Sequence, residues 1–239
     1  MLLSLLQINV ASDTANTIAE GMEVIPHEET LTIWQLVTSG GIGGIIIMTT
    51  LFILSFLTIY IYVERFLTIS KAAKEDPNFM NQIKDYILEG KIDSAKNLCA
   101  SNPSPIARMI EKGISRIGKP LTDIATAIEN TGKLELYKLE KNLATLATIA
   151  GAAPMIGFLG TVIGMILAFH QMAAAGGNID VEMLAEGIYT AMVTTVAGLV
   201  VGIMAYMGYN TLVAKVEKVV FLMEARTTEF MDILHEPAV

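Results

Sequence analysis

The sequence predicts an all-α membrane protein with three spanning helices, N-terminus outside and C-terminus inside, and three observations carry that reading. Three stretches contain no Asp, Glu, Lys or Arg: Thr30–Val63, Asn142–Ile179 and Gly187–Ala214. Each exceeds the roughly 20 residues that cross about 30 Å of hydrocarbon. The 16 basic residues fall in two places, thirteen in Arg65–Lys141 and three in Lys215–Arg226, and segments rich in Lys and Arg stay in the cytoplasm. Hydrophobic residues make up 53% of the 239-residue chain, and mean hydropathy is +0.54, too apolar for a soluble chain of this length.

Residues 1–41 read as an external tail ending in an interfacial helix, Leu31–Ser39, with Trp34 as a headgroup-level anchor. Met1–Val10 is apolar, but it lacks a basic start and is interrupted by Gln7 and Asn9, so it reads as tail rather than cleaved leader. Asp13, Glu20, Glu23, Glu28 and Glu29 make this end acidic with no base, which favours export of a short tail. The first span covers 42–64 and is hydrophobic all round, which suits a lipid-facing position. Glu64 and Arg65 end it.

Residues 65–140 predict a cytoplasmic helical domain. Asn78 caps a helix with Phe79, Ile83, Tyr86 and Ile87 on one face, ending at Gly90. Asp93 caps the next, with Leu98 and Cys99 inward. Ser104 followed by Pro105 is a cap and first-turn pair, and Ile106, Met109, Ile110, Ile114 and Ile117 keep helical spacing up to Gly118. After Pro120 a long pattern begins near Thr122. Lys133–Ala150 contains no Gly or Pro, so the second span (141–171) is expected to continue below the membrane as one unbroken helix. The outer loop, 172–183, is too short for a domain, so the second and third spans form an antiparallel hairpin. The third span (184–210) has no stop signal at its inner end, and 211–239 continue it as a cytoplasmic helix.

A net charge of −8 argues against nucleic acid, which is held by Lys and Arg on phosphate. Cys99 is the single cysteine, which excludes an intrachain disulfide and a thiolate metal cluster, and it reads as a small buried hydrophobe. No nucleophile–base pair, metal-ligand cluster or phosphate loop appears, so no enzyme, metal or cofactor is predicted.

The hairpin differs from the first span in composition. The second span carries Ala153, Gly157 and Thr161 at four-residue spacing, beside Gly160, Gly164 and Ala168. The third carries Thr190, Thr194, Gly198 and Gly202, with Ala191 and Thr195 alongside. Small residues at this spacing let helix backbones approach closely in lipid, and so many small faces on three spans point to self-association. Measured from His170 and Gly187, Thr161 and Thr195 fall at one depth, about 13 Å below the outer surface at 1.5 Å per residue. Two hydroxyls there either hold water or a partner's carboxyl group, or each bonds a carbonyl of its own helix. Pro154 frees a carbonyl and kinks the second span or exposes that carbonyl to a polar group. His170 is either a proton shuttle or an interfacial side chain. Glu186, at the outer end of the third span, is favourable as a helix-start acid in any case.

The stretch Ala153–Gly164 (APMIGFLGTVIG) resembles the second span of the ExbB/TolQ/MotA proton-channel family, which in the ExbB and TolQ branches reads A-P-x-x-G-L-x-G-T-V-x-G. Ala191–Asn210 (AMVTTVAGLVVGIMAYMGYN) is similar to that family's third span and its A-Y-N ending. The likeness covers about residues 30–235, nearest the ExbB branch. It implies a multi-pass subunit of a bacterial inner-membrane motor, with a periplasmic N-terminus and a cytoplasmic C-terminus. In that family a ring, usually a pentamer, encloses single-span partners of ExbD/TolR type, and a partner aspartate carries protons past threonines matching Thr161 and Thr195. The motion reaches a periplasm-spanning protein, such as a TonB-like one, that energises outer-membrane import. Two positions depart from the pattern. Many members hold a glutamate where this chain has Thr190, which leaves Glu186 as the nearest acid, and the family's late third-span proline is Met204 here.

Four readings follow. An ExbB-like motor subunit accounts for both motif stretches, and a TolQ-like envelope or motility motor subunit is its close alternative. A self-sufficient channel or transporter predicts charges or internal repeats in the spans, which are not seen. A membrane scaffold or receptor without ion conduction needs no aligned threonines.

Overall fold

The computed structural model describes residues 41–74, 76–174 and 181–235, and every regular element among them is helical. Three of the helices are long and apolar enough to cross a membrane. The expected interfacial helix at Leu31–Ser39 lies outside the described residues, as does the centre of the outer loop. Helix α1 (Gly41–Ala72) is followed by the short helices α2 (Phe79–Leu88), α3 (Ile92–Ser101) and α4 (Pro105–Ile114), then by α5 (Leu121–Glu140), α6 (Leu143–Ala174) and α7 (Val181–His235).

At 1.5 Å per residue the 32 residues of α1 span about 48 Å, more than the hydrocarbon needs, so about a third of the helix extends beyond the hydrocarbon core. Although apolar on all sides, α1 is one-sided in its packing. Ile47, Leu51, Thr58, Ile61, Arg65 and Ile69 are buried, while Phe52, Phe56 and Tyr60 stand 61–75% exposed. Exposed aromatics of that density need lipid or another chain against them. The 55 residues of α7 reach about 80 Å, so one helix joins the membrane part to the short-helix region.

The short helices start and stop for local reasons. Ser104 caps α4 as its sequence predicts, its Oγ accepting from the Ala107 N–H at 3.2 Å with Pro105 in the first turn. Asn78 occupies the cap position of α2, but its side chain makes no capping bond; instead Asp76 Oδ1 accepts from the Asn78 N–H at 3.0 Å. Helix α3 starts at Ile92, which puts Asp93 inside the first turn rather than at the cap. Helix α4 ends at Ile114, short of Gly118, because the chain loosens into i−3 bonds (Arg116 N–H to Gly113 O, Ile117 N–H to Ile114 O) before Gly118 turns at φ 95°.

The expected unbroken helix through residue 141 is a second correction. It breaks at Lys141–Asn142, where Asn142 adopts φ 65°. Asparagine takes the left-handed region more readily than other non-glycine residues, so a break needs neither Gly nor Pro. The joint is tied to α1. Arg65, buried, pairs with Glu64 and donates from Nη1 to the Lys138 carbonyl at 3.0 Å, satisfying one of the orphan carbonyls at the end of α5. Nearby, Lys215 of α7 sits 3.8 Å over the Phe66 ring and 3.3 Å from Ser70 Oγ of α1.

Phe230, fully buried near the far end of α7, organises the core of the short-helix region. A Cβ added at Gly113 would lie 2.7 Å from both the Phe230 ring and Ile128 Cδ1, so α4 needs glycine where it crosses. Cys99 is also buried, and desolvation pushes its thiol up to about 12. Phe230→Ala is expected to destabilise the short helices by about 3–5 kcal/mol, read as a lowered circular-dichroism melting temperature in detergent. Maleimide should label Cys99 only on unfolding, because the folded site supplies almost no thiolate at pH 7–8. Fast labelling of the native protein would contradict that burial.

Candidate functional site

Helices α6 and α7 meet backbone to backbone. A Cβ at Gly157 would fall 2.7 Å from the Thr194 carbonyl oxygen and 3.1 Å from Gly198 Cα. One at Gly198 would fall 2.6 Å from the Ala153 carbonyl oxygen and 2.9 Å from Gly157 Cα. Gly164 faces Ala191 Cβ, Gly160 faces the Thr194 side chain, and Gly202 lies against the Pro154 ring, at 2.6 Å from its Cγ. All five glycines singled out on the hairpin ridges therefore lie on this seam. Pro154 removes the bond that the Ala150 carbonyl would accept within α6, and that carbonyl lies against Gly202, 3.2 Å from where its Cβ would stand.

The close approach brings hydroxyls of α7 onto a carbonyl of α6. Thr195 Oγ1 donates to the Gly157 carbonyl at 3.1 Å. Thr194, buried, lies 3.2 Å from the same oxygen and 2.7 Å from Ala191 O, so its single proton is shared between them. In an α-helix the Gly157 carbonyl faces the N–H four residues on, that of Thr161. Thr161 and Thr195 thus lie within about one turn of each other. Thr161 takes the own-helix option, its Oγ1 donating to Phe158 O at 2.7 Å. Thr195 does not, and it differs in this from Thr49, Thr50, Thr58, Thr148 and Thr211, which all bond their own i−4 carbonyls.

The two threonines share a face. At about 100° per residue, Thr161 is turned about 40° from Gly157 to one side, and Thr195 about 60° from Gly198. Helix α1 packs on the other side of the hairpin. Gly43 approaches Ile163, about 120° the opposite way round α6, and Tyr62 approaches Gly208, about 80° the opposite way round α7. The α1-distal face carries Phe158, Met165, Leu199 and Tyr206, all exposed, around the half-buried Thr161 and Thr195.

Thr190 is not part of that face. It is buried, and it lines a cleft of about 160 Å³ with Gly160, Gly164, Gln171, Thr194 and Gly44 of α1. The side chain of Glu186, sixth residue of α7, lies outside the described residues. Among the described residues no group of three His, Cys, Asp or Glu side chains could hold a metal. Sequence reasoning placed Thr194 on the packing ridge but missed its place beside Thr195 on the Gly157 carbonyl; the four-residue spacing with Gly198 was the available signal.

A family model described as the MotA/TolQ/ExbB proton channel family matches residues 101–225, which contain the whole seam. The chain belongs to that family. Relatives with ExbB names support the ExbB branch. A putative biopolymer transport protein ExbB homolog from Methanothermobacter thermautotrophicus is 26% identical over 186 residues, 78% of this chain and 64% of the relative. The biopolymer transport protein ExbB of Aquifex aeolicus is 37% identical over 103 residues (42% and 69%), and the Tol-Pal system protein TolQ of Haemophilus influenzae 38% over 104 (44% and 45%). The chain thus spans less than two thirds of the first of these relatives. Family membership and three long apolar helices together make this a multi-pass membrane protein, and the matched range leaves α1 outside it.

Gly198→Leu should force the seam apart, because the added atoms meet backbone rather than a side chain that can turn away. Loss of folded protein in detergent is expected, measured by monodisperse yield and helical melting. Gly151→Ala on α6, where a Cβ meets nothing within 4 Å, should be neutral or stabilising by up to about 1 kcal/mol.

Proposed function

We propose that this chain is the multi-span subunit of a proton-motive-force-driven motor in a bacterial inner membrane. Copies of it assemble as a ring, five by the family resemblance, with the α1-distal face of each hairpin turned to the centre. That lumen holds single-span partner helices of ExbD/TolR type, and the motion energises a TonB-like protein spanning the periplasm. In this reading the N-terminus lies in the periplasm and the C-terminus in the cytoplasm, which the placement of the basic segments supports.

One observation carries the reading: Thr195 bonds across the seam while Thr161 stands within a turn of it, both on the unpartnered face. A hydroxyl offers one proton and two lone pairs. Thr195 can accept from a protonated partner carboxyl while still donating to Gly157 O, and it can swing to donate once that carboxyl ionises. The Gly157 carbonyl keeps its helical N–H, so the swing costs only about 1 kcal/mol. The spans themselves contain no Asp or Glu from Asn142 to Ile179 or from Gly187 to Ala214, so the titrating group comes from the partner, with Glu186 as an entry acid. A carboxyl in lipid is costly and persists where a pathway needs it. The likeness to the Haemophilus TolQ protein supports a second reading, the same motor serving the cell envelope rather than import.

Liposomes holding this protein alone should pass almost no protons, and those holding it with a single-span partner bearing a membrane aspartate should conduct. Flux at the full rate without the partner would refute the proposal. Thr195→Val and Thr161→Val should each lower coupled flux about ten- to a hundredfold, the worth of one hydrogen bond in the charged state, with the assembly intact. Thr195→Ser should restore most of it.

A further inference from the structure

We propose that the cleft between the inner end of α1 and the α4–α5 helices binds the phosphate group of an anionic phospholipid from the cytoplasmic leaflet. The inference rests on the cytoplasmic placement of the basic segment. The cleft has a volume of about 610 Å³ and is lined by four cations, Lys71, Lys74, Arg108 and Lys138. Glu135 is the one carboxylate in its lining, which leaves the lining at +3 (four positive, one negative) in a chain whose net charge is −8.

That carboxylate is already committed. Glu135 is 4% exposed and accepts from Arg108 Nη1 at 2.5 Å and from Lys138 Nζ at 2.6 Å. Arg108 Nη2 donates to Pro103 O at 3.0 Å, which holds the guanidinium in place. Lys71 and Lys74 are exposed and have no ion pair among the described residues. Two fixed cations and two free ones therefore surround one space, onto which the Ser104 end of α4 opens, its helix dipole also favouring an anion.

Height selects the lipid. Arg65 sits at the predicted membrane boundary and bonds the Lys138 carbonyl, so the top of the cleft is level with it. Lys71 is six residues further along α1, about 9 Å deeper. The polar layer of a bilayer leaflet is about 5–8 Å thick, and lysine stems snorkel toward it. Leu139 and Ala72 add an apolar wall suited to the glycerol and ester region. Basic pockets beside spanning helices on the cytoplasmic side favour anionic headgroups in general. A bound lipid would tie α1 to α5 at the height where Arg65 does.

Native mass spectrometry of the full-length protein, purified in mild non-ionic detergent, tests this. The wild type should retain phosphatidylglycerol or cardiolipin in preference to phosphatidylcholine. Lys71→Gln with Lys74→Gln should weaken retention about 30-fold, the loss of two near-surface cations. Lys71→Arg with Lys74→Arg should keep the lipid, and Lys112→Gln with Lys119→Gln, away from the cleft, should not alter it. Wild-type protein free of anionic lipid, or Gln variants that retain it fully, would overturn the proposal. So would displacement of the lipid by an equal concentration of inorganic phosphate, which would mark the ligand as a soluble anion. Lipid retention needs neither partner nor flux, so its failure leaves the motor reading standing, and the reverse also holds.

Discussion

The membrane part of this protein depends on how closely α6 and α7 approach at Gly157 and Gly198. Apolar side chains gain nothing by leaving lipid for one another, so helices in a bilayer associate through close packing and polar contacts instead. Here two rows of small residues remove the side-chain layer, and the backbones come near enough that any Cβ would strike a carbonyl. The same approach brings the Gly157 carbonyl within reach of two hydroxyls on α7. Packing and polar chemistry thus have one cause: what separates the helices also dismantles the hydroxyl cluster.

A second set of contacts lies where the spans leave the bilayer. Arg65 closes the end of α5 onto α1, and Lys215 reaches from α7 to Phe66 and Ser70 of α1. The break at Asn142 lets α5 take its own direction below α6, so that Glu135 can meet Arg108 of α4. A buried carboxylate with two cationic partners is rigid, because losing either partner leaves charge uncompensated in the interior. The short helices are therefore joined to the membrane part at its boundary, and α7 runs through both without a break.

Much of this was legible in the sequence, for identifiable reasons. Charge-free tracts and basic clusters mark the three long helices because bilayer thickness and charge cost leave few alternatives. Ser104–Pro105 announces α4 because both the cap and the ring act within one turn. The seam glycines are legible because a four-residue spacing faces one way. The rest depends on what a helix meets, which local pattern does not carry. Asn142 breaks a pattern with no breaker in it, and Asn78 and Asp93 mark helix starts without capping them. Thr190 and Thr195 look like neighbours along the chain, yet helical rotation separates them: Thr190 turns toward α1, and Thr195 toward the open face.

That separation bears on where titration can occur. By the family resemblance many members hold a glutamate at the Thr190 position, and in this fold such a side chain would enter the cleft bounded by α1, α6 and α7. It would lie across the seam from the face that holds Thr161 and Thr195. With threonine there, the cleft has hydroxyl and amide groups in its lining but no acid. The free face is lined by apolar side chains around two hydroxyls, which can pass a proton to or from a carboxyl but cannot store a charge themselves. On the proposed reading, the store and the relay therefore belong to different chains. On that reading the stroke would start when the partner's acid changes charge beside Thr195, and the glycine seam, with its backbones in contact, would carry the hairpin as one body.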